Sequence, residues 1–444
     1  MKLAKRALAV ILAAMVCLSA VGLSSSAKKA SELKEGDIFA YGMYPQTLVT
    51  DPDLLDILDA KTPDANGDVI IGTGTFRKYH FEIPDAYAQN KDEYTDHIQI
   101  YLEEIYNQYK AYLDAYGYNS ESFDYWFSYE PIQWRVLKVQ DDGNVLLMAD
   151  MVLDARAFEE KPDFDKDINW ANSSLNKWLN GTFMNTAFTK EEQAWIQPQT
   201  VSTPRNPVRG TPGGNDTECK VYLPSFEEMN DSALGFIDEG TRTDGGYGAD
   251  GKWSAANSFN AGYDLPDNAR RAKSSDFAKS HGVWSNLEKK LEDGTKNPDY
   301  GYCRYWLRST GYENGYAAGV LEDGIVSTGW LVNNWILGIR PMICVSPDAV
   351  SASLRIYASD GTVRYRQEGV RIFANMANVE WTSSNPEIAE VDEYGNVLIS
   401  DVGTVTITAT LKDDPETTAE CKLEVKYAWW QHLVRIFLFG WIWY

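Results

Sequence analysis

"VEWTSSNPEIAEVDEYGNVLISDVGTVTITAT", Val379–Thr410, decides how the last fifth of the chain folds. Turn formers punctuate it at Asn385-Pro386 and Tyr394-Gly395-Asn396. The runs between them are short and rich in β-branched residues. "TVTITAT" (Thr404–Thr410) alternates with period two, the spacing of a strand with one buried face. Trp381, Ile388, Ala389, Val391 and Val397 are spaced to fill one core. Outward from this stretch, "LRIYASD" (354–360), "GTVRYRQ" (361–367), "VRIFANM" (370–376) and "CKLEV" (421–425) repeat the short-strand character. Turn signals return about every eight to twelve residues, so 353–426 is expected to be an all-β sandwich. Cys421 alternates with Leu423 and Val425 and reads as a small buried hydrophobe.

Upstream the character changes. "SPDAVSA" (346–352) reads as a linker, and 28–345 as an α+β domain. "GDIFAYGMYPQT" (36–47) looks like a strand ending in a proline turn. Residues 51–128 form an acidic, tyrosine-rich insert. Within it Ile98, Leu102, Ile105, Tyr109 and Tyr112 lie on one face of a predicted amphipathic helix. Residues 130–158 flank a turn at Asp141–Asn144 and predict a hairpin. Residues 170–196 predict two helices. Leu175, Trp178 and Leu179 share a face of the first, and Thr189 with Glu192 forms a capping box for the second. A similar box at Ser225 and Glu228 opens a third, short helix. Residues 238–299 are rich in Gly, Asp, Asn and Ser and read as long surface loops. "GYCRYWLRSTG" (301–311) returns to strand, and hairpins come next around Asp323-Gly324 and Asn333-Asn334. The order implies an antiparallel sheet with segregated helices.

Residues 1–27 have the build of a secretory signal peptide. Lys2, Lys5 and Arg6 precede an apolar run, Ala7–Leu18, and Ser25-Ser26-Ala27 supplies a small-residue exit. The protein is therefore expected to be exported, to the extracellular space or the cell envelope. Its net charge of −23 repels nucleic acid and anionic lipid at long range, so nucleic-acid partners are excluded and polyanion binding is disfavoured. "YAWWQHLVRIFLFGWIWY" (427–444) is a hydrophobic aromatic tail. At eighteen residues it reaches roughly 27 Å if helical. Trp429 and Trp430 at one end, and Trp441, Trp443 and Tyr444 at the other, give the aromatic-belt pattern of two membrane interfaces. Arg435 opposes full insertion. Membrane contact through this tail is expected, with packing on the protein itself as the competing reading.

Little in the sequence points to catalysis. His80, His97, His281 and His432 are scattered, and no catalytic motif surrounds them. No metal and no cofactor is expected, and no residue is assigned a catalytic role. Asp163-x-Asp165-x-Asp167 imitates a calcium loop, but Ile168 and Ser174 stand where an EF-hand needs Gly and Glu. Cys219, Cys303, Cys344 and Cys421 match no metal spacing. Cys303 and Cys344 bracket one β-rich segment, which leaves a bridge and two free thiols both open. Trp134, Arg135, Trp306, Arg308 and Arg340 either lock the sheet through buried hydrogen bonds or contact a ligand. The candidate ligand-binding residues are Trp306 and Arg308, with Tyr312, Asn314, Asn333, Asn334 and Trp335 at hairpin tips.

Two resemblances accompany these readings. The pattern W-x-S-S-N-x-x-I-A-x-V from Trp381, with the glycines and the strand up to Ala409, resembles the bacterial immunoglobulin-like domain of group 2 over about 350–426. Members are usually stalk or adhesion modules. "YGMYPQ", "EPIQWRVL", "LDARAF", "WANSSLNKWLN", "YWLRST" and "GIRP" resemble the landmarks of an uncharacterised domain in secreted proteins of Gram-positive bacteria, over about 36–345. That family is similar to the C-type-lectin-like fold, an analogy of fold alone. Together they imply a non-enzymatic, lectin-like binding or adhesion protein at the cell surface, with a glycan or protein ligand. The alternative is an extracellular enzyme acting on glycans or cell-wall material through acidic residues.

Overall fold

The structure, a computed structural model, describes residues 33–71, 74–80, 124–206, 210–236, 246–247, 253–254, 269–286, 289–291, 294–351, 354–357, 361–367, 370–374, 379–412, 414–428 and 431. The signal peptide at 1–27, the amphipathic helix at 98–112 and the tail beyond Gln431 lie outside these. The described residues are mostly β with short helices. None of the helices among them is long and apolar enough to cross a membrane. The strands are β1 Ile38–Leu48, β2 Asp68–Ile71, β3 Gly74–His80, β4 Asp124–Val139, β5 Val145–Ala149, β6 Asp154–Ala155, β7 Gln199–Val201, β8 Thr217–Cys219, β9 Val221–Tyr222, β10 Gly246–Tyr247, β11 Trp253–Ser254, β12 Tyr305–Thr310, β13 Tyr316–Val320, β14 Val326–Leu331, β15 Gly338–Ile339, β16 Met342–Val345, β17 Ile356–Tyr357, β18 Gly361–Arg364, β19 Phe373–Ala374, β20 Val379–Ser383, β21 Ala389–Val391, β22 Val397–Ile399, β23 Gly403–Leu411 and β24 Asp414–Lys426. They fall into two compact units. The first takes residues 33–48 and 79–351; the second takes 49–78 and 354–431.

The first unit is built on two sheets. In one, β1 pairs β4, β4 pairs β5, β5 pairs β16 and β16 pairs β9, all antiparallel. β5 (VLLMA) and β16 (MICV) are almost wholly apolar because they sit at the centre, covered on both faces. β4 and β5 form the hairpin expected from Asp141–Asn144, with the Gln140 amide donating to the Asn144 carbonyl. β1 carries a bulge between Ala40 and Met43. Gly42 makes it, at φ +70°; a Cβ there would lie 2.5 Å from the Phe188 ring. The second sheet runs β14-β13-β12-β15-β6. Every residue of β12, YWLRST, is buried. One apolar cluster joins both sheets, with Trp134, Trp170, Trp306, Phe158 and Phe183 among its large members.

Residues 170–196 form not two regular helices but a broken run. A 3₁₀ turn (Trp170–Asn172) leads to an α turn (Ser174–Trp178), a π turn (Leu179–Phe183) and a further α turn (Met184–Ala187); Lys190–Trp195 comes last. Asn180 supplies the reason. Its Nδ2 donates to the Asn176 and Val221 carbonyls, and its Oδ1 accepts from the Lys220 and Val221 amides. The side chain stitches the helix to β9 and competes with the regular ladder. The Thr189–Glu192 capping box is formed. At Ser225 and Glu228 the reciprocal bonds exist, but they lead only to a single 3₁₀ turn, Glu228–Asn230.

Residues 269–286 correct the surface-loop expectation for 238–299. They carry the helix Asp276–Ser280 and bury Ala272, Phe277, Ala278 and Val283 in the main core. Phe277 meets Tyr44, Tyr79 and Phe127 in edge-to-face contacts, which makes it a hub rather than a loop residue. Within 346–352, Pro347–Ser351 form a helix that buries Ala349 in the same core.

In the second unit, β20, β23 and β24 are antiparallel and β18 joins β24 in parallel. β21 pairs β22, and β17 pairs β19. The inward faces supply Val363, Ile372, Ala389, Ile399, Ile407, Leu423 and Val425 to one core. Cys421 lies in it, 1% exposed. Trp381, expected at the centre, is half-buried and packs between two apolar clusters. The unit also holds the helix Pro52–Asp59 and the β2–β3 hairpin, fastened by Arg77 with Nε and Nη2 on the two Asp68 oxygens at 2.8 and 2.7 Å.

All four cysteines of the described residues are free and buried, so Cys303 and Cys344 are not bridged. Cys303 donates to the Ala272 carbonyl at 3.3 Å, while Cys344 faces Gln140.

Candidate functional site

The two landmark residues put forward for ligand contact are inside the first unit. Trp306 is fully buried; its Nε1 donates to the Arg156 carbonyl at 2.9 Å and its ring meets Phe158 edge-on. Arg308 is 3% exposed. Its guanidinium donates to the Ser202 and Leu223 carbonyls and to both oxygens of Glu228. Trp134 and Arg340 make the same kind of lock, through the Tyr41 carbonyl for the first and the Ala149 and Arg270 carbonyls for the second. Arg135 instead pairs with Asp150 at the half-buried rim.

The hairpin-tip residues divide. Tyr312 is exposed and packs its ring 4.4 Å from that of Tyr316. Asn314 is a clamp on the 163–168 turn: Nδ2 donates to the Phe164 and Lys166 carbonyls, and Oδ1 accepts from the Ile168 amide. Asp163, the first carboxylate of that calcium-like stretch, pairs with Lys166 at 2.6 Å, which lowers the Asp163 pKa. Asn334 closes its own turn onto the Ile336 amide, and Asn333 beside it is half-buried. Trp335 is buried at 8% exposure, against Gly282, where a Cβ would come within 2.1 Å of its ring. The turns that carry Asn314 and Asn333 are neighbours, with the Val332 amide donating to the Gly315 carbonyl, while Trp306, Arg308 and Trp335 are buried.

A different group converges at one end of the second sheet. Arg304, just before β12, lies with its guanidinium carbon 3.8 Å from the centre of the Trp284 ring and 5.2 Å from that of Trp330. Glu322, in the β13–β14 turn, accepts from Arg304 Nε at 2.7 Å and Nη2 at 3.1 Å. The neighbouring Asp323 accepts the Ile325 amide with its side chain, and its carbonyl accepts from Arg271 Nε. Arg271 also lies 2.6 Å from Asp299, and 5.5 Å from the centre of the Tyr302 ring. Three carboxylates, two guanidinium groups and three aromatic rings thus share one half-buried surface.

The electrostatics reflect burial. Asp323 has its pKa raised, chiefly by desolvation, against the favourable bond from Ile325. Asp299 is raised too, again by burial first and despite Arg271; the contact is ionic, and the Asp299 oxygen nearest Arg271 receives no aligned hydrogen bond. Glu322 raises both acids further. Such a surface offers aromatic faces for stacking on sugar rings or apolar side chains, with fixed donors and acceptors beside them. It also holds carboxyl groups biased toward the protonated form, the bias a general acid needs. Among the described residues, no group of three or more His, Cys, Asp or Glu side chains is arranged to hold a metal ion.

Sequence reasoning missed this group because its members arrive from four separated segments. Asp323 was visible only as a turn former, and Arg271 and Trp284 stood in a stretch read as loop. The one available signal was the density of aromatic residues next to arginines, as in "YCRYW" (302–306).

Comparison with known families divides the chain where the strands change character. Residues 142–347 match the domain of unknown function DUF6273. Comparison with the curated proteins finds no match. Residues 345–422 match the bacterial Ig-like domain (group 2), so the chain carries a DUF6273 domain in its middle and a bacterial Ig-like domain after it.

Proposed function

We propose that this is an exported, non-enzymatic binding protein of the cell surface, in which the unit carrying the DUF6273 domain contacts an extracellular glycan or protein and the Ig-like domain serves as an adhesion-type display module. The observation that carries this reading is the Trp284–Arg304–Trp330 stack with Glu322 locked onto the guanidinium. Rigid aromatic faces beside pre-paired polar groups bind without a large ordering cost. The Ig-like domain supports the extracellular setting. In this reading residues 1–27 direct export, the tail at 427–444 contacts the membrane, and the DUF6273 unit has a C-type-lectin-like fold. Nucleic acid, metals and cofactors play no part.

A second reading, a glycan-cleaving enzyme, is favoured by Asp323, whose burial biases it toward the acid form. A glycan array run beside a hydrolysis screen on the same polysaccharides separates the two. Binding without cleavage, lost in Trp330→Ala, is the expected outcome. Cleavage lost in Asp323→Asn would replace the binding reading with the enzymatic one.

A further inference from the structure

The second unit presents a basic, aromatic end where the tail begins. β18 and β24 run parallel and place Arg364 directly beside Lys426. Both are exposed. Like charges side by side across a ladder are unfavourable unless an anion relieves them. Glu424 relieves Lys426 in part, at 2.7 Å, while Arg364 forms no ion pair among the described residues. Arg366 stands two residues further on, also exposed. It is the one non-glycine with positive φ among the described residues, at 59°. That conformation costs an arginine energy that Asn or Gly would largely avoid. Its guanidinium lies over the Tyr365 ring, 5.3 Å from its centre.

The root of the tail is fixed to the same place. Tyr427 meets Tyr365 edge-on at 5.1 Å. Gln431, 5% exposed, donates from Nε2 to the Tyr365 carbonyl, and its Oε1 accepts the Ala428 amide. The tail therefore departs from a point beside two tyrosines and three basic residues. Its sequence beyond Gln431 is "HLVRIFLFGWIWY" (432–444).

We infer that this end of the second unit is a seat for anionic phospholipid headgroups, with Arg364, Arg366 and Lys426 on the phosphates and Tyr365 and Tyr427 at headgroup level. This rests on the membrane reading of the tail. The overall charge of −23 does not prevent it. Salt screens charges beyond about 8 Å, so once the tail holds this end at the bilayer, the local cations decide. Each basic residue near an anionic surface contributes roughly a fivefold gain in affinity. Attachment then has two parts, an apolar one indifferent to salt and an ionic one that salt removes.

The test is sedimentation of the full chain with vesicles of phosphatidylcholine alone, or mixed in equal parts with phosphatidylglycerol, at physiological and high salt. The natural chain should prefer the anionic vesicles by about a hundredfold at physiological salt and lose the preference at high salt. The triple variant Arg364→Gln, Arg366→Asn, Lys426→Gln should bind both vesicles alike and melt as the natural chain does, since Asn accepts the positive φ. Equal binding by the natural chain, or a preference retained by the variant, overturns the proposal. So does binding to a soluble glycerol-phosphate polymer without any vesicle preference, which would assign the cations to a wall polymer. Deleting 432–444 is a separate arm. Neutral-vesicle binding should vanish; if it persists, the tail reading fails, while the anionic preference still judges the basic seat.

Discussion

The buried Arg308 guanidinium is held by both oxygens of the partly exposed Glu228, with Nη1 2.5 Å from Oε2 and Nη2 3.0 Å from Oε1. The Leu223 and Ser202 carbonyls take two more of its donors. Arg308 is the buried partner at 4% side-chain exposure, while Glu228 keeps 26% of its side chain at the surface. Arg308→Met should cost about 1–3 kcal/mol through the hydrogen bonds it removes, since Glu228 keeps access to solvent. Adding Glu228→Leu should recover little of that loss. Urea melts of the two variants measure both effects; a double variant much better than the single one would place the cost in a stranded Glu228 instead.

Asp323→Asn should stabilise the protein at neutral pH. Asp323 has its pKa raised in the folded state, so folding favours its protonated form. Stability from this group is present at acidic pH and is lost as pH rises from the ordinary carboxylate range through the raised value. The amide keeps the bond to Ile325 without the charge. The expected gain is about 0.5–2 kcal/mol at pH 7, shrinking toward zero on acidification. Melting curves across that range decide it. The same variant should weaken ligand binding if the acids serve the site.

Native protein should leave its four buried thiols unmodified by a maleimide. Burial pushes Cys219 and Cys344 up to about 11 and Cys303 up to about 12. Cys421 is walled into the second unit's core. All four should react promptly in denaturant. Rapid labelling of any one under native conditions would mark local opening there.

Trp381→Ala should cost about 2 kcal/mol, below the range for a fully buried tryptophan, because the ring is half-buried between two apolar clusters. Chemical denaturation of the full chain, tracking the transition that carries the Ig-like domain, reads this out. A cost above about 4 kcal/mol would mean the ring anchors both clusters at once.

What the sequence disclosed was what repeats locally. Alternation in Thr404–Thr410 and Cys421–Val425 marked strands that the structure contains, because a half-buried strand cannot hide its period. Asp141–Asn144 marked a hairpin because the chain reverses there by turn chemistry alone. Phe277 was invisible, since a hub between distant strands leaves no periodic trace in a Gly- and Asp-rich stretch. Asn180 broke a helix through bonds to β9 that only the fold supplies. The Arg304 stack escaped for the same reason: a cation over a ring depends on side-chain direction, not on spacing along the chain.

Met148 and Met342 are ladder neighbours in the central sheet, although most of the first unit's sequence lies between them. A chain emerging from its N-terminus, whether from a ribosome or through a translocation pore, therefore has no finished sheet until residue 345 is free. Until then β5, even when paired with β4, offers an open edge rich in Val, Leu and Met, and closing so long a loop is slow. The Ig-like strands β23 and β24, joined by a short turn, face no such delay. The later-made part can reach its native form first, leaving the larger unit to rely on chaperones during its long exposed interval.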